Sequence, residues 1–331
     1  MPNAPVLVCG GAGYIGAHMC KYLAREGYTP VTFDNLSTGH RLAVRWGPFE
    51  QGDLLDLAAL RRVIAHYRFT AVLHFAGRSQ VSESLREPNL YLRTNVAGTI
   101  NLLDAMCQAG VRRLVFSSTA AVYGHPRYIP IDEDHPTNPI NPYGLSKWMA
   151  EQQITQYSHS HGLRAVCLRY FNAAGADSEG EIGEEHDPET HLIPNIIRAA
   201  LNPASGSIEL FGNDYDTPDG TCVRDYIHVE DLCRAHLAAL RFLDDHDGSH
   251  VFNLGTGQGH SVTQVLEHCR TRCGTVLSPT LRPRRPGDPA ALVASARKAL
   301  DQLGWHPQLG LDAIVDSALR WHRRGSANPV L

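Results

Sequence analysis

The residues best suited to acid–base chemistry in this sequence are a tyrosine and a lysine four positions apart. In "NPYGLSKWMAEQ", Tyr143 and Lys147 stand at the start of a predicted helix and therefore share one of its faces. A free phenol has a pKa of about 10, so about one part in a thousand is phenolate at neutral pH. An ammonium one turn away favours the phenolate and makes Tyr143 a usable general base. The spacing alone occurs in many helices. It gains weight from "SSTAAVYG", Ser117 to Gly124, which lies upstream at the end of a predicted strand. Thr119 in that stretch is expected to hydrogen-bond a substrate hydroxyl or Tyr143 itself, with a cap on the local turn as the alternative.

These residues need a scaffold, and the N-terminal segment supplies its first element. "VLVCGGAGYIGAHM" runs from an apolar strand through Gly10, Gly11, Gly13 and Gly16 into a segment with helical patterning. Glycines at a strand-to-helix turn let the backbone approach a pyrophosphate, whose charge meets the helix N-terminus. Asp34 ends the next predicted strand, at the position that binds a ribose, and a carboxylate there repels a 2′-phosphate. The expected cofactor is therefore NAD, and its positive nicotinamide assists the phenolate of Tyr143. Asp53 in "GDLLD" reads either as an adenine contact or as a cap for the helix after it.

Strand-like and helix-like segments alternate through the first half. Thr29 to Asp34, Thr70 to Gly77, Arg112 to Ser118 and Leu163 to Phe171 read as strands, with helices over Tyr14 to Arg25, Asn89 to Ala109 and about Tyr143 to Ser160. Short, nearly continuous apolar strands separated by helices predict an α/β fold, a Rossmann-type doubly wound parallel sheet covered on both faces. After Asn172 the texture changes. "AAGADSEGEIGEEHDPETH" reads as a polar loop, followed by a helix near Leu192 to Leu201, a strand near Ile208 to Phe211 and a helix near Val229 to Leu243. We expect a cofactor domain over 1–172 and a smaller mixed α/β substrate lobe over 173–331, some segments of which return to the first.

Composition excludes several function classes. The 331 residues are 43% hydrophobic and 19% charged, with a net charge of -4, so no basic field recruits nucleic acid or an acidic membrane. No apolar run approaches the roughly 18 residues of a membrane helix, and the N-terminus lacks a signal-peptide pattern, so a cytoplasmic protein is expected. The eight cysteines form no CxxC pair and are expected to be reduced and mostly buried. The 18 histidines show no HExxH or similar spacing, so no metal is expected.

Glycine knot, strand-end aspartate, "SSTAAVYG", the Tyr-Lys pair and "RYFNAAGA", in this order, resemble the extended short-chain dehydrogenase/reductase family. Within it, "GGAGYIGAH", "FDNLSTGH", "FGNDYDTPDGTCVRDYIHV" and "RRPGD" are similar to the UDP-glucose 4-epimerases, over almost the whole chain from about Pro5 to Trp321. The resemblance implies that NAD contacts Gly10, Gly13, Tyr14, Ile15, Gly16, Asp34, Asn35, Ser37, Asp53 and Leu54. Phe75, Ala76, Gly77, Asn95, Ser117 and Tyr170 would line the rest of its seat, completed by Tyr143 and Lys147. Thr119, Tyr143 and Lys147 would form the catalytic set. A UDP-sugar would meet Phe171, Asn172, Leu192, Phe211, Arg224, Tyr226, Arg285 and Asp288, besides Tyr170 and Thr119. Arg224 and Arg285 suit a diphosphate through bidentate, permanently charged forks, and Phe211 offers the uracil a shelf. The implied reaction is a redox cycle without net redox at C4 of a UDP-hexose, in a homodimer joined by the helices near Asn89 to Ala109 and Tyr143 to Ser160.

Some positions depart from the family pattern. Ser79 stands where some epimerases carry a lysine, with Arg78 beside it, and His191 stands where many have an asparagine facing the diphosphate. Leu292 falls at the position that limits the sugar's 2-substituent, between a restrictive tyrosine and permissive small residues, and points towards UDP-glucose and UDP-galactose. Sugar-nucleotide 4,6-dehydratases place Asp-Glu directly after the threonine, where this chain has Ala120 and Ala121. Epimerases of UDP-N-acetylhexosamines, UDP-pentoses or UDP-uronates remain alternatives. A non-catalytic NAD sensor typically loses the Tyr or the Lys, and both are present.

Overall fold

A computed structural model describes residues 4–202, 208–275 and 277–327. The first half runs β1 (Pro5–Cys9), α1 (Tyr14–Arg25), β2 (Thr29–Asp34), β3 (Phe49–Gln51), α2 (Leu57–Tyr67), β4 (Ala71–His74), α3 (Val81–Arg86), α4 (Pro88–Tyr91), α5 (Gly98–Ala109), β5 (Arg113–Thr119), α6 (Pro142–His161) and β6 (Arg164–Tyr170). The second continues through β7 (Asn172–Ala174), α7 (Leu192–Leu201), β8 (Glu209–Phe211), β9 (Val223–His228), α8 (Val229–Phe242), β10 (Ser249–Leu254) and β11 (Gly259–Ser261). It ends with α9 (Val262–Cys273), β12 (Thr280–Arg282), β13 (Ala291–Leu292), α10 (Arg297–Leu303) and α11 (Leu311–Ala327). The predicted helix from Asn89 to Ala109 is interrupted: Leu92–Ala97 forms a π-type turn between α4 and α5.

Seven strands form one sheet in the order β10-β6-β5-β4-β1-β2-β3, and every pair is parallel. The order in which successive strands are added reverses between β1 and β4, so a crevice opens beyond their carboxyl ends, the place where such sheets bind ligands. The apolar runs explain why helices cover both faces. Val6 and Val8 pack with α1 and α8 residues such as Leu23 and Leu240 on one side. Leu7 and Cys9 alternate to the other side, against Leu60, Leu102 and Ile154 of α2, α5 and α6.

The rest of the second half forms a smaller lobe. Its centre is β9, antiparallel to β11 and parallel to β7 and β13, backed by an apolar cluster of α7, α9 and α11. Two segments return to the large sheet. β10 pairs with β6 at its edge, and α8 lies beside α1. Among the described residues, no helix is long and apolar enough to cross a membrane, and all eight cysteines are free.

Candidate active site

One cavity of 1360 Å³ occupies the crevice between sheet and lobe. That exceeds the roughly 300–1,000 Å³ of a pocket for one small ligand and suits two ligands end to end. Every site residue named from the sequence lines it except Asn95.

The catalytic trio is positioned by β5 and the first turn of α6. Asn141 caps α6 by accepting from the N–H of Gly144 at 2.8 Å, and Pro142 occupies the first helical position, so Tyr143 is fixed one residue into the helix. Thr119, the last residue of β5, does two jobs. Its hydroxyl accepts from the N–H of Ala121 at 3.1 Å, capping the following turn. It also faces the Tyr143 phenol and pulls the phenol's pKa down, against a stronger upward push from burial. The Lys147 ammonium, only 4% exposed, donates to the carbonyl of Ser117 at 3.0 Å and lies 4.9 Å from the centre of the Phe116 ring. Burial lowers its pKa to about 8, with Glu151 opposing. Lys147 lies one helical turn beyond Tyr143 and lines the same cavity.

The glycine turn is built for close approach. Gly10 has φ +79°, and a Cβ there would stand 2.5 Å from the backbone nitrogen of Ala76; a Cβ on Gly16 would stand 2.1 Å from the carbonyl oxygen of Gly10. Gly13, the N-cap of α1, leaves the first turn without a side-chain cap or an acidic residue. That positive helix end opens into the cavity, as a pyrophosphate requires. Asp34 accepts from the N–H of Ala12 at 3.0 Å and of Leu36 at 2.8 Å, so it holds the glycine loop as well as facing the cavity. Asp53 is not the helix cap: Asp56 caps α2 by accepting from Ala59 at 3.0 Å, while Asp53 accepts from Asn35 at 2.8 Å. These residues fit a dinucleotide of the NAD type, with Asp34 disfavouring a 2′-phosphate.

Asn95 stands behind the wall of the expected seat rather than on the cavity surface. It is 2% exposed, lies in the π-type turn, and bridges the backbone of Arg78 and the hydroxyl of Ser146 at 2.8–3.0 Å. It supports the Gly77–Arg78 wall from behind. Arg78 pairs with Glu83 at 3.2 Å, so its charge is engaged beside Ser79. The Tyr170 phenol is hydrogen-bonded to Ser117.

On the lobe side, the guanidinium of Arg285 stacks on Phe211, 3.8 Å from the ring centre. Arg224 forms an ion pair with Asp288. Both were expected to contact substrate, and they hold each other at the cavity wall. Leu192 opens α7, while Asn172 and Tyr226 pair across β7 and β9. Leu292 packs beside Phe171 and Ala120. Ala120 and Ala121 both face the cavity, so its wall after Thr119 carries no acid.

Among the cavity residues that sequence reading missed are Glu184, His186 and Glu189, which lie in the polar loop before α7. Their side chains converge with His191, whose Nδ1 is 2.8 Å from Glu184 and 3.2 Å from Glu189. The two carboxylates raise His191 to about 10, against burial. The signal was present as Glu-x-His-x-x-Glu-x-His, a loop spacing unlike the helical patterns sought.

Residues 6–255 match the model of the NAD dependent epimerase/dehydratase family. The chain is 50% identical over 324 residues to a UDP-glucose 4-epimerase of Rhizobium meliloti (strain 1021), covering 98% of each. Its structure is similar to that of UDP-glucose 4-epimerase from Brucella ovis in complex with NAD, with a TM-score of 0.92 and 48% identity over 96% of this chain and 97% of that one. It is also similar to the UDP-glucose 4-epimerase from Bifidobacterium longum in complex with NAD+ and UDP, with a TM-score of 0.93 and 38% identity over 98% and 99% of the two chains.

Proposed function

We infer the reaction from one premise: the chain belongs to the NAD dependent epimerase/dehydratase family. It is an NAD-dependent isomerase that inverts C4 of a UDP-hexose, interconverting UDP-glucose and UDP-galactose through a transient 4-keto sugar. The observation that carries this reading is one shared cavity, lined by the glycine turn and Asp34, by Thr119 and Tyr143, and by Arg224 and Arg285.

Bound NAD supplies the hydride acceptor and donor for C4 and a positive ring beside the phenol. Everything else falls to the chain. Tyr143 takes the proton of the 4-hydroxyl as C4 is oxidised, and Thr119 holds that hydroxyl while opposing the phenol's upward shift. Lys147, anchored on Ser117, lines the dinucleotide seat. Arg224 and Arg285 hold the diphosphate, with Asp288 yielding its partner when substrate arrives. The remote nucleotide thus retains the 4-keto intermediate while the hexose, loosely held, turns over. Tyr143 then returns the proton to the oxygen of the other epimer. Dehydration would need a further acid and base after Thr119, and Ala120 and Ala121 supply neither.

Purified protein is expected to interconvert UDP-galactose and UDP-glucose without added NAD. Tyr143→Phe is expected to lose at least about 100-fold in kcat while retaining cofactor. No turnover of hexose, pentose or uronate nucleotides would overturn the reading.

We further propose that residues 1–172 serve the cofactor and 173–331 the UDP-sugar, that the chain is a homodimer, and that it works in the cytoplasm. Support for the dimer is the side-by-side packing of α5 and α6, tied by the Tyr157 hydroxyl donating to Asp104 at 2.5 Å, which presents a two-helix surface. Eight free thiols favour a reducing compartment.

A further inference from the structure

The loop before α7 brings two imidazoles and two carboxylates to one point. Nδ1 of His191 lies 2.8 Å from Oε1 of Glu184 and 3.2 Å from Oε1 of Glu189. Nδ1 of His186 lies 3.5 and 3.7 Å from the same two oxygens. A tetrahedral ion with bonds of about 2.0–2.1 Å has ligand–ligand edges of about 3.3 Å, and these four separations bracket that value. All four ligand atoms fall within 4.8 Å of one another.

A second observation points to a missing partner. The Glu189 side chain is 2% exposed, yet its Oε2 accepts no hydrogen bond, and neither does Nδ1 of His186 engage in one. That oxygen is ion-paired with Arg198 at 3.8 Å, so the buried atom that faces the cluster without a hydrogen bond is Nδ1 of His186. A proton on His191 satisfies the short contact with Glu184 but leaves His186 unmatched and two buried carboxylates converging. A divalent cation among these atoms engages Nδ1 of His186 together with Nδ1 of His191 and Oε1 of Glu184 and Glu189, the last of which also accepts from the N–H groups of Thr190 and His191 at 2.9 Å.

We propose that Glu184, His186, Glu189 and His191 form a tetrahedral site for a divalent cation of the zinc class. Two imidazoles and two carboxylates are a borderline donor set suited to that ion. Four protein ligands leave no open position, so the ion is structural: it ties residues 184–191, a wall of the cavity, to the N-terminus of α7. With Nδ1 on the ion, His191 carries its remaining proton on Nε2 and offers a donor to the cavity. The other acidic cluster, Asp177, Glu179 and Glu181, is different, because the Lys21 ammonium already fills it at 2.6–2.8 Å.

The test is made on the full chain, stripped with chelator and dialysed. Zinc content after exposure to Zn²⁺ and removal of excess is expected to be one ion per chain, and to fall to background in His186→Ala/His191→Ala. Co²⁺ substitution is expected to give the intense visible bands of a tetrahedral site. Zn²⁺ at 100-fold excess over its Kd is expected to raise the Tm of the wild type by about 4 °C and leave that of the double variant unchanged. Equal zinc in wild type and variant, or weak octahedral Co²⁺ bands in the wild type, would overturn the proposal. The wild-type Co²⁺ spectrum decides even where the variant folds poorly, and none of these readouts depends on turnover.

Discussion

Lys147 donates its ammonium to the carbonyl of Ser117 at 3.0 Å, so helix α6 is pinned to the end of β5 beneath the dinucleotide seat. The contact places a buried cation where the ligand-free protein gains little from it.

That relationship predicts a pH-dependent stability. Burial lowers the Lys147 pKa from 10.5 to about 8, so between about pH 8 and 10.5 the unfolded chain holds a proton that the folded chain has released. Stability of the ligand-free protein therefore rises with pH across that window, by about 3 kcal/mol for this group. Lys147→Met is expected to abolish the rise and to be more stable than wild type at pH 7, while turnover falls at least about 100-fold. Urea unfolding of both proteins at pH 7 and 9.5 checks this; a variant less stable at pH 7 contradicts it.

Asp225, fully buried, accepts four hydrogen bonds: from the N–H and hydroxyl of Thr256 at 2.7 and 2.6 Å, from Gly257 at 3.0 Å and from Ala294 at 3.1 Å. Its carboxylate ties β9 to the segments that follow β10 and β13. Asp225→Asn turns one acceptor into a donor facing donors, and is expected to cost about 3 kcal/mol. The midpoint of chemical unfolding measures it, and an unchanged midpoint would show that the network is dispensable.

Leu292 is packed with Ala120 and Phe171 on the sugar side of the cavity. We expect wild type to prefer UDP-glucose over UDP-N-acetylglucosamine. Leu292→Ala is expected to shift the ratio of kcat/KM towards the N-acetylated sugar by about 10-fold, the scale set by a few methylenes in a pocket. Comparison of both substrates on both proteins tests the assignment. A ratio that does not move removes Leu292 from specificity.

The large sheet was legible because its strands are buried on both faces. Runs such as Val6 to Cys9 or Ala71 to Leu73 must be apolar at every position, and such runs stand out from flanking helices. The lobe was less legible. β11 and β13 are two or three residues long and half-buried, and β10 joins the large sheet from far along the chain, a pairing no local pattern encodes. The site divides similarly. Motifs brought Gly10, Asp34, Thr119 and Tyr143 to one cavity, since each occupies a loop, strand end or first helical turn of defined chemistry. Pairings between distant side chains were invisible: Arg224 with Asp288, Lys147 with the Ser117 carbonyl, and Asn95 turned inward on a π-type turn. The "DGTCVRDYIHV" block marked the family through residues whose roles are largely structural, including Asp225 and His228, which caps α8.

The central claim is that C4 is oxidised and reduced in place, with nothing lost to solvent except an exchangeable proton. Purified protein given UDP-[4-²H]glucose, without added NAD, tests this most directly. The account predicts UDP-galactose that retains deuterium at C4 through many turnovers, detected by mass spectrometry and NMR. Product with protium at C4 would contradict it.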